Sequence, residues 1–142
     1  MRYFIDTNLI IGAFQREEID SLNRLNTILS NEDNEIFYNG LVYTEALRAM
    51  LDEDIFTTLK SSFELFTWID INQAIYIETK KFSRHCRSKE IKVAKGKCEL
   101  IDMLHFMTAK HYELELLSND SVDMANLEIC YQDFKENNAL NV

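Results

Sequence analysis

The chain has 142 residues, of which 46% are hydrophobic and 27% are charged, and its formal net charge is −9. These values are ordinary for a globular protein, and they predict a single domain over residues 1–142. No apolar run approaches the ~20 residues that cross a bilayer and no signal-peptide pattern opens the chain, so we expect a cytoplasmic protein without a membrane partner.

Short apolar runs alternate with longer helical patterns along the chain. The predicted strands are residues 2–5, 35–38, 66–69 and 114–117, with a candidate fifth at 128–131. The predicted helices are residues 8–14 (with Thr7 as candidate cap), 18–31, 41–50, 55–66, 73–87 and 99–112. Strands separated by helices predict an α/β fold whose sheet is largely parallel.

Acidic residues occur at the points where this fold would bring strand ends together. Asp6 directly follows the first strand, and Glu45 lies near the start of the helix after the second strand. Asp102 lies in the first turn of the helix before the fourth strand, and Asp120 directly follows that strand. Parallel strands with right-handed crossovers have their carboxyl ends along one edge, where open α/β sheets bind ligands. We therefore expect the four carboxylates to lie close together.

Four neighbouring carboxylates predict a divalent-cation site. Their charges repel, so each needs either a raised pKa or a cation, and hard oxygen ligands suit Mg²⁺ or Mn²⁺. Such a site can polarise a phosphodiester and activate water for in-line attack. Any one of these acids is equally well explained as a helix cap or as a partner of a helix dipole. Their joint placement at one edge favours the metal site.

Other catalytic chemistries lack their motifs in this sequence. The chain has no P-loop, G-x-S-x-G, G-x-G-x-x-G or H-E-x-x-H pattern. Its three cysteines include no C-x-x-C pair, which argues against a zinc site or a disulfide framework. Asn8 occupies the position at which aspartyl phosphatases have the second acid of D-x-D, so that chemistry would lack its general acid.

Four segments resemble, in order and in approximate spacing, the acidic motifs of the PIN domain family. They are Phe4-Ile5-Asp6-Thr7-Asn8, Thr44-Glu45, Ile101-Asp102 and Ser118-Asn119-Asp120. The resemblance extends over nearly the whole chain, and a small chain of this kind looks most like a VapC-type toxin. It implies a three-layer α/β/α fold with a central, mainly parallel sheet of four to five strands. It also implies a Mg²⁺- or Mn²⁺-dependent endoribonuclease that acts as the toxin of a type II toxin–antitoxin pair, with tRNA among its candidate substrates.

The resemblance also implies roles for particular residues. Asp6 and Asp102 would be direct metal ligands, and Asp120 would support that metal or a second one. Glu45 would orient or activate the attacking water. Three further residues would hold the carboxylates through hydrogen bonds, namely Thr7, Asn8 and Ser118.

The third and fourth motifs depart from the family pattern. Bulky residues follow Asp102, where the family usually has small ones, and the later acid of the fourth motif is displaced to Asp123. Asp123 is therefore a rival to Asp120 as the fourth acid. These departures leave open a PIN-fold binding module that lacks catalysis, beside an RNA-processing PIN nuclease without an antitoxin.

The charge is unevenly distributed, which bears on RNA binding. The window 80–97 carries +7, so the rest of the chain carries −16. This window is either a solvated helix end and loop or a phosphate-binding patch, in which Lys92, Lys95 and Lys97 are the candidate RNA contacts. Arg48, one turn after Glu45, could pair with that acid or contact a phosphate.

The middle helices are rich in apolar residues, and two interpretations stay open for them. The residues concerned are Leu47, Met50, Leu51, Ile55, Phe56, Leu59 and Phe63. They form either plain core or a groove for an antitoxin helix together with a homodimer surface. An acidic chain suits a basic partner peptide.

Overall fold

The computed structural model describes residues 1–88 and 99–140. The chain divides into two units, each built from two segments. Unit 1 comprises Met1–Asp70 and Glu113–Asn119, and unit 2 comprises Ile71–Tyr112 and Asp120–Val142. The expectation of a single domain stays a prediction.

Unit 1 contains a four-stranded parallel sheet. Its strands are β1 (Arg2–Ile5), β2 (Glu35–Tyr38), β3 (Thr67–Trp68) and β4 (Glu115–Leu117). Their order is β3-β2-β1-β4, and every neighbouring pair is parallel. The predicted α/β class with a parallel sheet is confirmed. Because all four strands run the same way, their carboxyl ends lie at one edge of the sheet.

The helices of unit 1 connect these strands. They are α1 (Thr7–Ile10), which continues as a π-helical segment (Ile11–Gln15), α2 (Ile19–Leu29), α3 (Gly40–Ala49) and α4 (Glu53–Phe63). Side-chain caps fix two of their starts. The Asn39 carboxamide oxygen accepts the Val42 amide, and one Asp52 oxygen accepts the amides of Asp54 and Ile55. Such caps satisfy amides that lack a partner within the helix.

The prediction that Thr7 caps the first helix is wrong. Asp6 occupies the cap position with extended backbone angles, and Thr7 is already the first helical residue. The helix begins one residue earlier than predicted because β1 ends at Ile5 and only Asp6 separates the two elements. The hydroxyl of Thr7 is thus available for a contact outside its own helix.

Unit 2 is helical in its described residues. Its helices are α5 (Gln73–Ser88), α6 (Glu99–His111) and α7 (Ser121–Leu140), and α5 packs against both of the others. The buried ring of Phe82 is the centre of this packing. Its centroid lies 5.8 Å from that of Phe106, 6.0 Å from that of Tyr131 and 5.5 Å from that of Phe134. Rings at these separations add packing energy beyond their burial.

The candidate fifth strand at 128–131 is wrong, because these residues lie inside α7. The buried residues Leu127, Cys130 and Phe134 recur at helical spacing, whereas the short apolar run alone fits either structure. The Lys110 ammonium lies 2.8 Å from the Glu128 carboxylate. Burial raises the pKa of Glu128, but its hydrogen bonds from Lys110 and Gln132 outweigh that effect and leave the pKa below its ordinary value.

Within residues 1–88 and 99–140, none of the helices combines the length and the apolar character that crossing a membrane requires. The cytoplasmic location stays a prediction.

Candidate functional site

Asp6 lies at the carboxyl edge of the unit 1 sheet. It follows β1 and is 3% exposed, and its backbone amide donates to the Leu117 carbonyl oxygen at 2.8 Å. This bond extends the pairing of β1 with β4 by one residue. From β1 the chain builds the sheet in one direction, to β2 and then β3, and the next strand, β4, lies on the other side of β1. This reversal of strand order between β1 and β4 is the arrangement that opens a ligand crevice at this edge.

A second carboxylate is anchored by the residue next to Asp6. The hydroxyl of Thr7 donates to Oε1 of Glu45 at 3.3 Å, and Thr7 is 6% exposed. Glu45 is half-buried on α3, which packs against α1. The hydroxyl restricts the Glu45 side chain and satisfies one of its oxygens. The structure therefore places the first two of the predicted acids in unit 1, connected through Thr7.

Asn8 joins the end of β1 to the residues after β4. Its Nδ2 donates to Oγ of Ser118 at 3.0 Å, and its Oδ1 accepts the backbone amide of Asn119 at 3.1 Å. The Asn119 carboxamide in turn donates to Oγ of Ser21 at 2.8 Å. Both ends of the Asn8 side chain are thus used to hold the two central strand ends together.

Two residues near these strand ends are not among the predicted site residues. Arg24 on α2 donates through Nη1 to the Ser118 carbonyl oxygen. Asn39 follows β2, is 1% exposed, and has no hydrogen-bond partner at Nδ2 within the described residues. The Asn39-Gly40 pair is a sequence signal for a strand end. Arg24 carries no such signal, because its contact depends on how α2 packs.

The remaining predicted acids belong to unit 2. Asp102 lies in the first turn of α6 and is half-buried. Asp120 is exposed and precedes α7, and its Oδ1 accepts the backbone amide of Asp123 at 3.0 Å. Asp120 therefore caps α7, while Asp123 is half-buried in the first turn. The choice between Asp120 and Asp123 stays open, and so does the prediction that the acids of the two units form one pocket.

The predicted RNA contacts divide into two groups. Arg48 is exposed in the last turn of α3. Lys92, Lys95 and Lys97 lie outside the described residues.

The oxygen atoms around Asp6 suit a hard cation, but they would supply only some of its ligands. Carboxylate and hydroxyl oxygens come from Asp6, Thr7 and Glu45, and Mg²⁺ and Mn²⁺ prefer oxygen ligands. Among residues 1–88 and 99–140, no three His, Cys, Asp or Glu side chains are grouped as a metal site. Mg²⁺ usually keeps several waters among its ligands, so protein oxygens need not complete its coordination.

Gly12 allows the polar network after β4 to form. A β-carbon at this position would lie 2.7 Å from Nδ2 of Asn119 and 2.8 Å from Oγ of Ser21. We expect Gly12→Ala to displace the Asn119–Ser21 hydrogen bond and to lower the free energy of unfolding by about 1–2 kcal/mol, measured by urea denaturation.

A double-mutant cycle provides the control for this prediction. With Asn119→Ala already in place, the methyl group has more room, so Gly12→Ala should cost less than it does in the wild-type chain. Equal costs in both backgrounds would show that the glycine is not required by this contact.

Comparison with known proteins gives a family and several structures of similar fold. The model of the PIN domain family matches residues 3–128. VapBC2 from Rickettsia felis, solved with a DNA fragment from its promoter, is 17% identical with a TM-score of 0.63, covering 84% of this chain and 89% of that one. VapBC-1 from nontypeable Haemophilus influenzae is 14% identical with a TM-score of 0.66, covering 90% and 93%. A toxin–antitoxin complex from Klebsiella pneumoniae is 20% identical with a TM-score of 0.61, covering 87% and 90%.

No curated protein sequence matches the chain. The structural likenesses, at identities of 14–20%, show the fold alone. The family match extends over most of the sequence and includes the positions of Asp6, Glu45, Asp102 and Asp120. The chain therefore belongs to the PIN domain family.

Proposed function

We propose that this protein is a metal-dependent endoribonuclease and the toxin of a type II toxin–antitoxin pair. The observation that carries the proposal is the buried carboxylate of Asp6 at the carboxyl edge of the sheet of a PIN domain. The next two residues form hydrogen bonds around Asp6. Thr7 donates to Glu45, and Asn8 bonds Ser118 and Asn119.

In this proposal the acids have different roles in phosphodiester hydrolysis. Asp6 and Asp102 would hold Mg²⁺ or Mn²⁺, and Asp120 or Asp123 would support the same ion or a second one. The bound ion would polarise the phosphodiester and lower the pKa of the attacking water. Glu45, whose Oε1 accepts the Thr7 hydroxyl, would orient the attacking water and take its proton.

The antitoxin part of the proposal draws on the structural neighbours and on one groove. The neighbours include VapBC assemblies and a toxin–antitoxin complex. Unit 1 has an open groove of about 440 Å³ whose apolar lining comes from Ala13, Phe14, Leu22 and Ile55. We propose that an antitoxin helix binds there, and that the chain also forms a homodimer.

The apolar middle helices contribute only part of such a surface. Leu47, Met50, Leu59 and Phe63 are buried, as the plain-core interpretation requires, whereas Leu51 is 84% exposed. A gene for a small DNA-binding protein beside this one would favour the toxin–antitoxin pair. Its absence would favour an RNA-processing nuclease.

The test is cleavage of labelled RNAs, including tRNA, by the purified protein with Mg²⁺, with Mn²⁺ and with EDTA. We expect cleavage that requires the metal and stops in EDTA. If the folded protein binds metal and cleaves none of these RNAs, the enzyme proposal is wrong. The second candidate is a PIN-fold binding module, which the bulky residues after Asp102 leave open and which metal binding without cleavage would favour.

A further inference from the structure

One face of α5 presents a line of exposed basic and aromatic side chains. Tyr76, Lys80, Arg84 and Arg87 are all exposed, and Tyr76 is 54% exposed. With about 3.6 residues per turn, these four positions lie within an arc of about 80° and extend over about 16 Å of the helix. We refer to these four residues as the α5 stripe.

The packing of α5 fixes the direction in which the stripe points. The opposite side of the helix carries the buried residues Ile75, Thr79, Phe82 and Cys86. These positions also recur at helical spacing, and Phe82 is held among three aromatic rings. Rotating α5 to bury the stripe would expose this face, so the cations stay at the surface of unit 2.

The three basic side chains of the α5 stripe do not stabilise the described part of the chain through polar contacts. The side chains of Lys80, Arg84 and Arg87 form no ion pair or hydrogen bond among residues 1–88 and 99–140. Neighbouring basic side chains on unit 2 do: Lys81 lies 3.4 Å from Glu78, and Lys110 lies 2.8 Å from Glu128. Like charges spaced four residues apart on a helix disfavour it slightly, so a row of them suits a function in binding better than one in folding.

We infer that the α5 stripe binds the sugar–phosphate backbone of the RNA substrate, with Tyr76 stacking on a base. This inference rests on the proposed nuclease function and extends it to substrate binding. Aligned cations would suit an acidic peptide as well. An exposed aromatic ring in line with several cations is the combination that single-stranded nucleic acid uses, since phosphates meet the charges and bases meet the ring. At the spacing of about 3.4 Å per nucleotide that a stacked strand has, the stripe extends over several successive nucleotides.

The test measures RNA binding in EDTA, where the wild-type chain should not cleave, at a series of salt concentrations. The test variant is Lys80→Gln with Arg84→Gln and Arg87→Gln. Its matched control replaces three exposed cations elsewhere by glutamine, namely Arg16, Lys60 and Lys135. Both triple variants change the net charge equally. Any difference in RNA binding between them therefore depends on where the removed charges lie.

We expect the stripe variant to bind at least about tenfold more weakly at low salt. Its slope of log K against log salt should be shallower by about 2, because each lost phosphate contact in a single strand removes about 0.7. The control should keep its slope within about 0.5. Tyr76→Leu should weaken binding roughly tenfold and leave the slope unchanged, since stacking releases no counterions.

Equal slopes for the stripe variant and the control, with wild-type cleavage intact, would overturn the inference and leave the nuclease function standing. Loss of binding to an acidic partner protein, with RNA binding unchanged, would overturn it in favour of a peptide site. If the wild-type chain neither binds nor cleaves any RNA, both the inference and the proposed function are wrong.

Discussion

Asp6→Asn is expected to reduce RNA cleavage by at least about a thousandfold, which corresponds to about 4 kcal/mol of transition-state stabilisation. The substitution keeps the size of the side chain but removes the negative charge that a metal ligand needs. Folding should be preserved for two reasons. The bond to Leu117 uses the backbone amide of Asp6, and the Asp6 side chain makes no capping hydrogen bond to α1, so the substitution removes no cap. The measurement is the single-turnover cleavage rate with Mn²⁺, beside urea denaturation of the same sample.

An exposed acid provides the matched control. Asp20 lies in the first turn of α2, and Asp20→Asn makes the same change in charge away from the sheet edge. We expect it to keep the cleavage rate within about twofold. Asp102→Asn should match Asp6→Asn, and the larger loss among Asp120→Asn and Asp123→Asn identifies the fourth acid. A folded Asp6→Asn protein that cleaves at the wild-type rate would exclude Asp6 from catalysis.

The largest expected effect on stability is that of Phe82→Ala, about 3–5 kcal/mol. Phe82 is fully buried where α5 meets α6 and α7, and its ring contacts Phe106, Tyr131 and Phe134. Truncation removes these contacts and leaves a cavity that neighbouring rings fill only partly. The measurement is urea denaturation followed by circular dichroism.

The control for this prediction lies on the same helix. Tyr76 is exposed, so Tyr76→Ala removes a ring of similar size from solvent and should change the free energy of unfolding by at most about 0.5 kcal/mol. The fluorescence of Trp68, the one tryptophan of the chain, reports unit 1 separately. A loss below about 1 kcal/mol for Phe82→Ala would mean that the aromatic packing of unit 2 is not as tight as its geometry indicates.

The sequence by itself determined the first strand, its end at Asp6 and the α/β class. The run Tyr3-Phe4-Ile5 is short, apolar and followed by a carboxylate, and these local features depend on no distant residue. The second, third and fourth strands were also placed within one residue of their observed ends, because polar or turn residues bound their apolar runs. The four acidic motifs likewise depend only on order and spacing, and they were sufficient to indicate the family.

Only the tertiary structure decided the strand order, the contacts among the strand ends and the helical state of residues 128–131. Asn8 bonds Ser118, which is 110 positions away, and Thr7 bonds Glu45, which is 38 positions away. No local pattern encodes such pairs, since they arise when the fold brings α3 and the residues after β4 next to α1. The segment 128–131 is apolar enough for a strand, but Leu127 and Phe134 can be buried with Cys130 only on one face of a helix. Packing against α5 therefore overrode the local preference, as it commonly does where a short apolar run fits both structures.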